Sequence, residues 1–270
     1  MSVILCRKEQ VSHPYFLEVL GVNVSTSQEL CYAIYHHPLL AMDGFVNENL
    51  IEFIREELKM GFTALKMERW MKSGENPDEM IFIFLQECDY YTTVEINKLR
   101  QQVTALRKLP PMEYAKRKAD YLVGFKQYGK AIAGYEKILE NMELFKTDDR
   151  FAGKVWNNLG ACYARVFQFE KAMKAFGHGY DKLKDEGILE KMYHLTVLSP
   201  ELELKEQYQR AVSEEQKVRW DADLEEARKQ AGSSPEKERL EELFQKDPIK
   251  RMEGAAKLVE NWKQEYRGMA

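Results

Sequence analysis

Between Trp156 and Phe176 the chain reads WNNLGACYARVFQFEKAMKAF, and within it Trp156, Leu159, Gly160, Tyr163, Ala172 and Phe176 fall at intervals of three, one, three, nine and four residues. Residues three, four and seven apart share one helical face, so the first four positions predict one helix and the last two a second. Each helix then carries a bulky ring beside a small residue. Two antiparallel helices built this way approach closely, and the pair must stack on neighbours to finish burying its apolar faces.

The rest of the composition agrees with a helical chain. Only 8 prolines and 15 glycines occur in 270 residues, 31% of the chain is charged, and 44% is hydrophobic, enough apolar material for an extended helical array or two domains. Forty basic against 44 acidic side chains give a net charge of −4, which is no electrostatic footprint for nucleic acid or an anionic membrane. Residues 1–110 hold 11 basic and 15 acidic side chains, and the remainder holds 29 of each, so neither half is a basic module. The four cysteines, Cys6, Cys31, Cys88 and Cys162, lack the short spacing of a zinc or redox motif and are expected to be reduced and mostly buried. The opening MSVILCRKEQ is charged too early for a secretory signal, and no apolar run reaches membrane-spanning length. A cytoplasmic location is expected.

Along the N-terminal region, Val3, Ile4 and Leu5 suggest a short strand or arm ended by His13-Pro14. Hydroxyl caps in Ser25–Ser27 and Glu29 open a helix that Pro38 stops, and a second helix runs from about Asn47 to Met60. Gly61 marks a break, after which Leu65, Met67, Trp70 and Met71 predict a helix ending at Ser73–Asp78. The apolar run in Glu79–Tyr91 suits a buried strand or a buried helix, and its helical neighbours favour the helix. Leu99, Val103 and Leu106 align on one face of Thr92–Lys108 before Pro110-Pro111, which divides residues 1–110 from residues 111–199.

The segment Lys154–Tyr180 resembles a tetratricopeptide repeat, carried by the six positions above. Gly179 stands where that family prefers alanine, and no proline closes the second helix, which is expected to run on towards Glu186. A weaker copy precedes it: Ala131 and Tyr135 match Ala172 and Phe176, and Ala119 and Leu122 match Gly160 and Tyr163, at an offset of 41 residues. The family's offset is 34, so the extra residues are expected within Glu140–Arg150. A third unit begins near Gly187 and lacks the signature. Residues 200–270 are expected to be long solvated or capping helices, with a capping box at Ser213 and Gln216, a break at Gly232–Pro235, and a last pair over about Pro235–Phe244 and Pro248–Arg267 in which Leu258, Val259 and Trp262 cover the exposed end. The resemblance implies an all-α fold, a right-handed α-α superhelix of helix pairs with an N-terminal helical region.

In this family the first helix of each pair lines a concave groove for protein or peptide ligands. Carried over, that groove is Lys116, Arg117 and Asp120 from the first unit and Lys154, Asn157, Asn158, Ala161 and Arg165 from the second. Some relatives clamp a terminal carboxylate with lysine, arginine and asparagine donors, a chemistry that Lys116, Lys154 and Asn158 fit and Asp120 opposes.

Catalytic and metal signatures are missing. His36 and His37 point about 100° apart on a helix with no carboxylate or cysteine placed to complete a metal site, and His178 and His194 stand alone. No nucleophile elbow, zinc-protease motif or phosphate loop occurs, and Glu56-Glu57 and Glu241-Glu242 read as solvated faces. Tyr32, Tyr35, Phe45, Trp70, Tyr90 and Tyr91 are concentrated in the N-terminal region, where core packing accounts for them. The expected function is a non-catalytic adaptor or scaffold that binds a protein or peptide partner, with no cofactor, metal, nucleic acid or membrane. Two alternatives remain open: a peptide-sensing transcriptional regulator with an N-terminal helical DNA-binding domain, against which the acidic N-terminal region speaks, and an enzyme with an unfamiliar N-terminal site.

Overall fold

The computed structural model describes residues 11–142 and 148–269. Val3, Ile4 and Leu5, Cys6 and part of the Glu140–Arg150 connection lie outside the described residues. The protein is all-α apart from one small hairpin, with fifteen helices among the described residues. It divides into two compact units, Met1–Tyr114 and Ala115–Ala270, each with its own interior.

The N-terminal unit opens with an antiparallel hairpin, β1 (Tyr15–Leu17) and β2 (Val22–Val24), in which Phe16 pairs with Asn23. Its helices are α1 (Ser27–His36), α2 (Pro38–Ala41), α3 (Glu48–Glu56), α4 (Gly61–Ser73), α5 (Glu79–Cys88) and α6 (Thr93–Arg107). Local signals set their ends. Thr26 and Glu29 close a capping box on α1, Asn47 accepts from the Leu50 N–H at 3.0 Å, and Thr92 and Glu95 form a second box on α6. The apolar run before Tyr91 is the buried helix α5, whose Ile81, Phe82, Phe84 and Leu85 join Leu30, Ile34, Leu50, Ile54, Leu99 and Val103 in one core. The break before α4 falls at Lys59, which takes a left-handed φ of 57°, so Gly61 opens the helix.

Among the described residues, one charged side chain is buried in this unit. Asp78, 3% exposed, receives both Nε and Nη2 of Arg107 at 2.8 Å, and Arg107 Nη1 reaches Asp43 at 2.7 Å. Tyr114 donates its hydroxyl to Asp43 at 2.6 Å. The two-pronged guanidinium makes burial of the Asp78 carboxylate tolerable, because a planar donor pair satisfies both oxygens at once.

The second unit contains most of α7 (Pro111–Gly124), followed by α8 (Tyr128–Glu140), α9 (Asp149–Arg165), α10 (Phe169–Leu183) and α11 (Glu186–Leu198). Helices α9 and α10 run antiparallel, as their contacts show: Gly160 faces Phe176, Gly179 faces Asn157, and Gly153 faces Leu183. A Cβ at Gly179 would lie 3.3 Å from the backbone nitrogen of Asn157 and the carbonyl oxygen of Gly153. This explains the glycine where the resemblance leads one to expect alanine, because a backbone neighbour cannot turn aside. Helix α10 ends at Leu183 rather than running on to Glu186, since Lys184 adopts a left-handed φ of 51° and Asp185 caps α11.

Beyond α11 the pairing changes. Helix α12 (Glu206–Gln209) is a single turn, followed by α13 (Glu214–Gly232), α14 (Pro235–Phe244) and α15 (Pro248–Met269). Ser213 and Gln216 close the expected box on α13, and Trp220 is fully buried against Tyr193, ring centroids 5.5 Å apart. Of the three residues expected to cover the exposed end, Leu258 is half-buried while Val259 and Trp262 are 43% and 53% exposed, and α15 meets the array near its own C-terminus, where the Tyr266 hydroxyl donates to the Val166 carbonyl at 3.3 Å. The packed face of α15 includes the half-buried Gly254, Ala255 and Leu258, and a Cβ on Gly254 would meet Leu243 of α14.

Candidate functional site

The residues assigned to a groove lie on α7 and α9, and the structure ties several of them together. Asp120 on α7 is the centre. Its Oδ2 accepts from Lys116 Nζ at 2.7 Å, and its Oδ1 accepts from the Tyr135 hydroxyl of α8 at 2.6 Å and from the Asn158 amide of α9 at 2.9 Å. One carboxylate thus joins three helices. The row continues on α9, where Asn157 Oδ1 accepts from Lys191 Nζ of α11 at 3.0 Å.

This geometry changes what these donors can do. Lys116 and Asn158, expected to hold a ligand carboxylate, are turned onto Asp120, the protein's own carboxylate. Asp120, the residue that opposed the clamp chemistry, takes up both of these donors. Arg117, Lys154 and Arg165 stay exposed, and Ala161 is half-buried between them along α9. The face offers cations around an internally satisfied polar row rather than an empty carboxylate pocket.

Burial shapes the chemistry behind this face. Burial first, and then the neighbouring Asp120, push the Tyr135 hydroxyl well above the usual phenol range, so it acts as a neutral donor. Burial, with a smaller contribution from Asp120, pushes the Cys162 thiol up to about 12, so it stays protonated and unreactive. Among the described residues no group of three or more histidine, cysteine or acidic side chains is placed to hold a metal ion. His36 packs against Tyr32 and Tyr35, with ring centroids 4.2 and 5.3 Å away.

The repeat-signature side chains occupy the other side of α9. Trp156, Leu159 and Tyr163 lie nearly opposite Lys154, Asn158 and Arg165 at 3.6 residues per turn. They help line a 480 Å³ valley, with Glu136, Leu139 and Glu140 of α8 on one wall and Lys171, Lys174, Ala175 and His178 of α10 on the other. Tyr163 donates its hydroxyl to Glu136 while Lys171 stands 5.4 Å from the centre of its ring. Trp156 packs on His178 with centroids 4.6 Å apart. A second recess of 330 Å³ adjoins the far flank of α10, lined by Met173, Gly177, Met192, Leu202 and Tyr208 among others. The single turn α12 contributes Tyr208 to it.

The sequence reading missed this valley because it treated the signature residues as packing alone. The signal that would have found it is the pair of charge patterns, Glu136 with Glu140 and Lys171 with Lys174, each on one helical face. Among the described residues no helix is long and apolar enough to cross a membrane. In comparisons with known proteins the chain matches no family model, no curated protein and no solved structure.

Proposed function

We propose that residues 111–199 form tetratricopeptide-like helix pairs, turns of a right-handed α-α superhelix, and that the protein is a non-catalytic scaffold holding a protein or peptide along the face of α7, α9 and α11. The observation that carries this reading is the polar row Lys116–Asp120–Asn158, continued by Asn157–Lys191, which fixes the spacing of three first helices. A face held in place before binding spends less free energy on ordering side chains when a ligand arrives. Exposed Arg117, Lys154 and Arg165 favour ligands with acidic side chains or carbonyl-rich extended backbone. Two further features support a role without catalysis: the N-terminal unit is filled by apolar side chains, and its buried carboxylate Asp78 is held by Arg107.

The test uses the full chain. Peptides selected on it from a displayed library of unstructured sequences are titrated by calorimetry into the native protein and into the double variant Lys154→Glu/Arg165→Glu. Weaker binding at an unchanged melting temperature supports the reading. Unchanged affinity removes this face as the contact surface.

A further inference from the structure

The valley on the opposite side of α9 carries a separate assignment, resting on the reading that this unit holds other proteins. We infer that it is a docking site for an amphipathic helix of a partner protein, one that sets basic side chains against α8 and acidic side chains against α10.

The argument starts from the floor. Half-buried Trp156 and Leu139 present the apolar surface of the 480 Å³ valley, over a base of Leu159, Tyr163 and Ala175, which are buried. From Trp156 to Tyr163 this floor follows α9 for two turns, about 10 Å at 1.5 Å per residue. That length matches the apolar anchors of a helix spaced at i, i+3 or i+4, and i+7, the pattern by which a helix lies in a groove. An extended strand would instead offer alternate side chains to opposite faces and leave half of them unseated.

The walls then specify the occupant. Glu136 and Glu140 are one turn apart on α8, and Lys171 and Lys174 are one turn apart on α10 and joined by His178. All four charged side chains are exposed. A helix entering between them meets negative charge along one edge and positive charge along the other. A helix with basic residues towards α8 and acidic residues towards α10 gains from both walls, and the reversed arrangement sets like charges together, so the walls select which way round the helix lies. The floor is prepared for contact, because Tyr163 is held between Glu136 and Lys171, and Trp156 rests on His178. Rings already fixed in place lose little freedom on binding.

The experiment displays a library of helical peptides with randomised faces on phage and selects on the immobilised full chain. The expected winners carry apolar residues at i, i+3 or i+4, and i+7, with lysine or arginine on one edge and aspartate or glutamate on the other. Glu140→Lys and Lys174→Glu should each weaken such a peptide roughly tenfold, and the double reversal should prefer a peptide with its edges exchanged. These two positions spare Glu136 and Lys171, which hold Tyr163, and circular dichroism confirms that the variants fold. Peptides indifferent to both reversals, or no enrichment of helical peptides, would overturn the assignment. Either failure leaves the opposite face untouched, since that face is read by the unstructured library and by Lys154→Glu/Arg165→Glu.

Discussion

Gly160 lies so close to Phe176 that a Cβ on the glycine would stand 2.6 Å from Cδ1 of the ring. Phe176 is 2% exposed, so its ring is held in the interior and the pair sets the close approach of α9 and α10. Replacing a helical glycine by alanine ordinarily gains about 0.5 to 1 kcal/mol. Here overpacking of roughly 1 to 3 kcal/mol outweighs that gain, so Gly160→Ala should lower the thermal midpoint and Gly160→Leu should lower it further. A Gly160→Leu protein as stable as the native one contradicts the close packing.

Asp120 is predicted to matter for stability before it matters for binding. Asp120→Ala leaves the Tyr135 hydroxyl, on a side chain 1% exposed, without its acceptor, at a cost of about 1 to 3 kcal/mol. Asp120→Asn keeps an acceptor and should cost less. Urea denaturation of the two variants beside the native protein provides the comparison, and an alanine variant with the native midpoint would mean that the junction of α7, α8 and α9 contributes nothing.

In the N-terminal unit, Arg107→Lys keeps the positive charge and removes the fork that satisfies both oxygens of Asp78. Arg107 is itself 37% exposed, so water screens part of its attraction, and the expected loss is about 1 to 2 kcal/mol rather than that of a fully buried pair. Chemical denaturation followed by hydrogen–deuterium exchange in α5 and α6, which belong to this unit, checks it.

Acid should weaken the same unit in a definite direction. The His13 side chain beside Glu57, the Arg55 guanidinium beside Glu68, and the Thr92 backbone N–H on Glu95 each hold the carboxylate below its ordinary range. A carboxylate lowered in the native state stabilises it fully above the unfolded value of about 4.3. That contribution disappears as the pH falls from there through the lowered native values. Glu95→Gln removes the titrating carboxylate while leaving an oxygen to accept from the Thr92 N–H, and should flatten the fall in melting temperature between pH 5 and about 3; an unaltered profile would count against the cap.

Cys162 should resist alkylation in the native protein, because burial keeps its thiol protonated up to about 12. Peptide mapping after brief iodoacetamide treatment at pH 8 should find it unlabelled and find it labelled once urea unfolds the chain.

Much of the helical layout was legible from local chemistry. Ser213 with Gln216, Pro235, and the spacing from Trp156 to Phe176 act within a few residues, and the helices begin and pair where those signals stand. The β1–β2 hairpin was not legible, since three-residue strands carry too little alternation to stand out from a loop. The junction at Asp120 depends on Asn158, 38 residues away, and no local pattern reports which way a half-buried carboxylate turns. The exposed apolar edge of α15 escaped for a related reason: periodicity marks an amphipathic face for Val259 and Trp262 but does not say which part of it is covered.

Hydrogen–deuterium exchange of the full chain with a peptide selected from the unstructured library tests the central claim most directly. The account predicts slowed exchange in the first helices α7, α9 and α11, centred on Lys116–Asp120, Lys154–Arg165 and the turn of α11 that carries Lys191. Protection confined to residues 11–114, or no protection at saturating peptide, would contradict it.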